Sequence, residues 1–170
     1  MTSIGIISDT HGFLDPTVKE YFSGCDEVWH AGDWGAGVAE QLQSFKKLRG
    51  VYGNIDGTSI RNQFPEEIFF QCEDVKVFII HIGGYPPRYE RGVKEKLQKL
   101  QPDLFVCGHS HILKIVRDPK LNNMLCINPG AAGRSGFQQM RTMVRLKIEG
   151  NRIFDVEVIE LGKKSDNIKR

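Results

Sequence analysis

No C-x-x-C pair occurs among the four cysteines, Cys25, Cys72, Cys107 and Cys126, so zinc held by thiolates is not expected. Three of the four lie in strand-like segments and read as buried free thiols in a reducing compartment, which makes the cytoplasm the expected location. No uninterrupted apolar run approaches membrane-spanning length. The chain enters a strand within three residues, without a basic region followed by an apolar one, so no signal peptide is expected. Lys+Arg minus Asp+Glu is 23 − 21 = +2, too small a bias to call for nucleic acid or an anionic membrane as partner. Internal repeats, low-complexity tracts and interdomain linkers are also missing.

What remains is an ordinary globular composition, 40% hydrophobic and 26% charged, in a chain of 170 residues that fits one domain with a substantial core. The expected domain runs over residues 1–162, followed by a flexible basic tail at 163–170 cut from the polar stretch GKKSDNIKR.

The first half alternates strand, loop and helix. Ser3 to Ile7 is rich in β-branched residues and too short for a helix, so it reads as a buried strand. Asp15-Pro16 opens a helix with Asp as cap and Pro at the first position, ending near Ser23-Gly24. Glu27 to Ala31 is a second strand, Val38 to Phe45 a second helix and Leu48 to Tyr52 a third strand. This alternation predicts an α/β protein with a largely parallel sheet, in which ligands bind beyond the carboxyl ends of the strands. Ile68 to Cys72 and Val75 to Ile80 form a hairpin. Pro86-Pro87 break the chain before a charged helix, Tyr89 to Leu100, and Leu104 to Cys107 is another buried strand. The last third is antiparallel: Ile112 to Val116 and Met124 to Ile127 flank a polar turn, and a hairpin turning at Gly150-Asn151 alternates apolar and polar residues, one face buried and one wet.

The histidines give the strongest chemical signal. Asp9 and His11 follow the first strand, and with one residue between them two side chains can point the same way. His30 stands in WHAGD, His81 in FIIHIGG, and His109 and His111 in CGHSH, each after an apolar β-rich segment and near a glycine. The candidate ligands are Asp9, His11, Asp33, Asn54, His81, His109 and His111. Seven oxygen and nitrogen donors exceed what one ion takes while leaving room for substrate, and they suit two ions sharing a carboxylate. Imidazole and carboxylate without thiolate point to Mn, Fe, Zn, Ni or Co.

The ordered set D-x-H, G-D, G-N, H-x-G and G-H-x-H, each after a strand, resembles the calcineurin-like metallophosphoesterases. The short length, Gly53-Asn54-Ile55-Asp56 and Asn128-Pro129-Gly130 are similar to their small bacterial and archaeal phosphodiesterase branch. That likeness runs from Ile4 to about Gly130 and implies a four-layer α-β-β-α sandwich of two mixed sheets with the site at the strand ends. By matching motif it implies that Asp9, His11 and His111 bind one metal, that Asn54, His81 and His109 bind a second, and that Asp33 bridges them. Asp33, Asn54, His81 and His109 then form the catalytic set. Two divalent ions, Mn foremost, about 4 Å apart can hold a hydroxide nucleophile and clamp a phosphoryl oxygen. The substrate implied is a small phosphodiester or nucleotide-like anion. Many members of the family follow the G-N asparagine with a histidine, where this chain has Ile55. It therefore lacks an obvious general acid, help typically worth ~10²–10⁴-fold, and activated aryl diesters are expected to turn over faster than alkyl phosphates.

Two other functions stay open. The small subunit of the eukaryotic retromer coat resembles the same branch and serves as a binding scaffold, though it has lost part of the ligand set. A phosphomonoesterase or nucleotide hydrolase could use the same core, with Trp34, Tyr85, Arg88 and Tyr89 as candidate cleft walls, Trp34 reading equally as a core residue. The Tyr85 to Tyr89 segment offers either a homodimer contact or a lid. His30 reads as orienting a ligand or as a satisfied core histidine, Asp56 as a turn residue, Ser110 as a small spacer, and Arg134 as a surface arginine or a phosphate holder.

Overall fold

The computed structural model describes residues 1–165 and places two five-stranded sheets face to face. In the first, β1 (Thr2–Ile7), β2 (Glu27–His30) and β3 (Lys47–Gly50) run parallel. Three short helices, α1 (Val18–Tyr21), α2 (Val38–Gln43) and α3 (Thr58–Gln63), lie along this half of the chain. In the second sheet β4 (Glu67–Cys72) pairs antiparallel with β5 (Val75–Ile80). A two-stranded ribbon, β6 (Gly84–Tyr85) with β7 (Arg88–Tyr89), and helix α4 (Val93–Leu100) follow. β8 (Leu104–Val106) lies parallel to β5, and β10 (Met124–Pro129) lies parallel to β8 and antiparallel to β9 (Leu113–Asp118). β11 (Met140–Glu149) then returns to the first sheet beside β1, and β12 (Arg152–Lys163) closes its edge. Strand order is β12-β11-β1-β2-β3 in one sheet and β4-β5-β8-β10-β9 in the other.

Alternation along the strands builds three layers of core. Ile4, Ile6, Trp29, Val144, Leu146 and Ile148 of the first sheet meet Val77, Ile79, Leu104, Val106 and Ile127 of the second. The opposite faces of the same strands carry Ile7, Val28 and Met143 against Val18, Phe22, Leu42 and Ile60 on the helical side. Phe78, Phe105 and Cys126 face Val93 and Leu97 of α4. Val93 and Leu97 are four apart and share one helix face, and burying each contributes about 1.5–3 kcal/mol. This is the four-layer α-β-β-α architecture with both sheets mixed.

Several local expectations change. Asp15 does not cap α1, which starts at Val18 with Thr17 at its N-cap; its Oδ1 instead accepts from the Thr17 N–H at 2.9 Å and the Thr17 hydroxyl at 2.6 Å in the turn ahead of the helix. Asp15 also pairs with the buried Arg141 at 2.7 Å, so the same carboxylate serves the core. The helix expected from Tyr89 begins at Val93, because the Pro86-Pro87 pair turns the ribbon that contains Tyr89. The final hairpin is not simply wet on one side: Thr142, Met143 and Val144 are all buried, since β11 lies between β1 and β12 with helices outside. Register shifts after Arg145 change which face β12 presents, leaving Val158 exposed while Ile159 is buried. Of the expected tail, Lys163 pairs with Met140 as the end of β12, and residues 166–170 lie outside the described residues. The four cysteines are free and buried, and burial pushes the Cys107 thiol up to about 12.

Candidate metal centre

β1, β2, β3, β5 and β8 all end at the same rim of the sandwich, and the loops beyond them carry Asp9 and His11, Asp33, Asn54, His81, and His109 with His111. These seven side chains converge. Two groups each bring three ligand atoms within 4.8 Å of one another, Asp9 with His11 and His111, and Asp33 with His81 and His109. Asn54 joins the second, its Oδ1 lying 3.1 Å from His81 Nε2 and 3.0 Å from His109 Nδ1. Asp33 stands between the groups: its Oδ2 is 3.2 Å from His81 Nε2 and 3.6 Å from His11 Nε2. Asp9, His11, Asp33, His109 and His111 all have positive φ, between 46° and 70°, a region that Asp and His tolerate better than most side chains.

Hydrogen bonds fix the rings and leave lone pairs facing inward. The Ala31 carbonyl accepts from His81 Nδ1 at 2.6 Å, so His81 Nε2 carries the lone pair. That lone pair faces the oxygens of Asp33 and Asn54, which are acceptors too. Gln138 does the same for His111. Its amide nitrogen donates to the carbonyls of Gly133 and Ser135, which turns Oε1 toward His111 Nδ1 at 2.8 Å. His111 Nε2 then points at Asp9 Oδ1, 3.2 Å away. Asp9 Oδ1 and His11 Nε2 are buried 3.8 Å apart without a hydrogen-bond partner among the described residues. Buried acceptors aimed at one another are costly unless a cation lies between them, and this donor set fits divalent ions.

Protonation follows the same field. Burial opposes ionisation of Asp9, yet the neighbouring imidazoles of His11, His111 and His81 hold its carboxyl well below the usual carboxylate range. Burial likewise opposes Asp33, and the adjacent His81 imidazole brings it down. The adjacent Asp9 carboxylate raises His111. His81 is raised against its burial by Asp33 and Asp9.

Outside the ligands, Asp56 is a positioning residue rather than only a turn residue. Its carboxylate accepts from the backbone N–H groups of Asp33 at 3.0 Å, Trp34 at 3.0 Å, Gly35 at 3.3 Å and Gly53 at 2.8 Å, tying the Asp33 loop to the Asn54 loop. Gly53 is required by close approach: a Cβ there would lie 2.0 Å from Asp33 Oδ1. His30 is a satisfied core histidine that also braces the site. Its Nδ1 accepts from the Gly32 N–H and its Nε2 bonds the Thr10 hydroxyl, each at 3.0 Å, and burial pushes its pKa down to about 3. Trp34 is not a cleft wall. It is fully buried, stacked between His30 and Phe64. Ser110 Oγ accepts from Ile112 N–H and the Asn128 amide, as a spacer would. The Asn128 amide also donates to the Gly108 carbonyl, propping the loop that carries His109 and His111. Tyr89 hydrogen-bonds Asp118, whereas Tyr85 and Arg88 line a cavity of about 250 Å³ that reaches His109. Arg134 lies over the Phe13 ring, 4.9 Å from its centroid.

Sequence reasoning missed Gln138 altogether. Gln138→Leu removes the acceptor that orients His111, and outer partners of this kind are typically worth about 10–100-fold in metal affinity. A calorimetric titration with Mn²⁺ is expected to show one of two binding events weakened by that factor while the other is unchanged.

The model of the calcineurin-like phosphoesterase superfamily domain matches residues 2–151. The chain belongs to that superfamily. Among solved structures, this calcineurin-like phosphoesterase is similar to an archaeal phosphodiesterase at 26% identity and a TM-score of 0.73, covering 94% of this chain and 99% of that one. It shares its fold with Vps29 from Entamoeba histolytica complexed with Zn²⁺, at 17% identity and a TM-score of 0.72 over 96% and 99% of the two chains. A Streptococcus pneumoniae protein described as a predicted phosphoesterase is 19% identical with a TM-score of 0.67, over 94% and 97%. No curated protein sequence matches.

Proposed function

We propose that this chain is a phosphodiesterase working with two divalent cations, Mn²⁺ foremost, on a small phosphodiester or nucleotide-like anion. Asp9, His11 and His111 hold one ion, Asn54, His81 and His109 the other, and Asp33 touches both. The observation that carries this reading is Asp33 Oδ2 standing 3.2 Å from a nitrogen of one ligand group and 3.6 Å from a nitrogen of the other. The resemblance to a structure described as an archaeal phosphodiesterase supports it; the Zn²⁺ reported for an E. histolytica Vps29 of the same fold supports only the binding of a metal, and the Vps29 likeness itself fits the scaffold reading. Free, buried cysteines suit a reducing cytoplasm.

Two divalent ions, when bound, supply a Lewis-acid clamp for the phosphoryl oxygens and an acidified water. The chain's own contribution is position and charge. Asp9 and Asp33 offset two of four positive charges, leaving an excess that draws in an anion. Ile55 N–H donates to Asp33 Oδ1 at 3.1 Å and fixes that carboxylate's plane. Because the Ile55 side chain is half exposed and carries no proton to give, leaving groups that need no protonation suit the site. A scaffold that bound no ion would have no use for inward-facing imidazoles.

Chelator-stripped protein should not hydrolyse an aryl phosphodiester, and Mn²⁺ should restore turnover. Ion binding without cleavage of any ester would instead favour a scaffold that has kept its donors.

A further inference from the structure

We infer that Phe137 is the apolar platform on which the organic group of the substrate ester lies. This rests on the phosphoesterase reading above and adds the class of ester: one with an aromatic or nucleobase-like group next to the reacting phosphate.

Seven large hydrophobic side chains are exposed among the described residues: Met1, Tyr21, Ile55, Phe69, Ile112, Phe137 and Val158. One of these seven, Phe137, has its ring set against a donor of the ligand cluster, and two more adjoin donors in sequence. Ile55 follows Asn54 in the chain, Ile112 follows His111, and Phe137 lies with its ring nearly parallel to that of His111, at 15° with centroids 6.3 Å apart. Single exposed hydrophobics need no explanation by themselves; what sets Phe137 apart is that its ring lies alongside a donor histidine. At 72% exposure Phe137 is the most exposed of all seven, so its ring adds little to the core.

The backbone holds it there. Gly136, with φ of 106°, passes so close to His111 that a Cβ would lie 2.3 Å from its Nδ1, and Gln138 on the other side is anchored to Gly133, Ser135 and His111. The chain at Phe137 is thus held on both sides by residues that meet His111. A phosphate held at the ligand cluster would have the exposed Phe137 ring nearby, alongside His111. Charge at the centre selects the phosphate, and the apolar rim selects what is attached to it. Stacking of this kind is sequence-tolerant and is measured by truncating the aromatic side chain.

The test compares binding of methylphosphonate and phenylphosphonate to the Mn²⁺-loaded chain by calorimetry. Wild type should bind phenylphosphonate about 10-fold more tightly. Phe137→Ala should reduce that ratio to near one without changing the methylphosphonate affinity, and Phe137→Trp should preserve it. A ratio of one in wild type, or an equal ratio in wild type and Phe137→Ala, would overturn the inference while leaving the phosphoesterase reading intact. Failure of both phosphonates to bind would remove that reading and this one with it. Sedimentation run in parallel decides a rival occupant: a wild-type dimer that Phe137→Ala dissociates would make the rim a contact between copies and overturn the assignment.

Discussion

Asp33→Asn is expected to abolish metal-dependent hydrolysis while leaving the fold intact. Asparagine retains an oxygen for the Ile55 N–H, which bonds Asp33 Oδ1 at 3.1 Å, so the loop keeps its local anchor. What is lost is the negative charge shared between His81 on one side and His11 on the other. Altering an outer partner of a ligand typically costs about 10–100-fold in affinity or activity, and Asp33 is proposed to touch both ions directly, so a loss beyond about 100-fold is expected. The check has two parts: hydrolysis of an aryl phosphodiester with excess Mn²⁺, and the number of ions bound per chain. Activity within a few-fold of wild type would remove the bridging role.

Asp56→Ala should instead damage stability. Its carboxylate serves four backbone donors, those of Asp33, Trp34, Gly35 and Gly53, and Asp56 is itself buried. Deleting it strands buried N–H groups at about 1–3 kcal/mol each, part of which water or rearrangement recovers, for a net loss of about 3–5 kcal/mol. At this chain length that lowers Tm by roughly 6–20 °C, read by thermal unfolding in the metal-free protein. Mn²⁺ binding should weaken in the same variant, since Asp33 and Asn54 lose their common anchor. An unchanged Tm would mean that the two loops are held together by other contacts.

These two residues show what could be read from the sequence and what could not. Asp33 is visible because it ends a strand-like segment beside a glycine, and in parallel sheets such positions gather at one rim. The same logic exposes all seven donors that the structure brings together. Asp56 and Gln138 follow no such pattern. Their partners lie 23 and 27 residues away along the chain, and nothing local distinguishes a buried, four-fold acceptor from an Asp-Gly turn. Trp34 stays undecided in sequence for the same reason: beside Asp33 it could wall the cleft or pack inside, and the structure puts it in the core, where its indole N–H donates to the Val51 carbonyl. Among the elements, α3 was missed because Asn54 to Gly57 reads as a loop that continues onward, and the face change in β12 was hidden because register shifts against a partner strand leave no trace in alternation.

Five of the seven donors, Asp9, His11, Asp33, His109 and His111, sit in left-handed backbone conformations that each cost of order 1 kcal/mol or more in a free chain. Contacts elsewhere in the fold, such as Asp9 N–H to the Gly32 carbonyl and His11 N–H to that of Asp33, each at 3.0 Å, impose those conformations once the chain has folded. An ion reaching these donors would have no loop to organise, so that its capture would reduce to diffusion and the stripping of water from the cation.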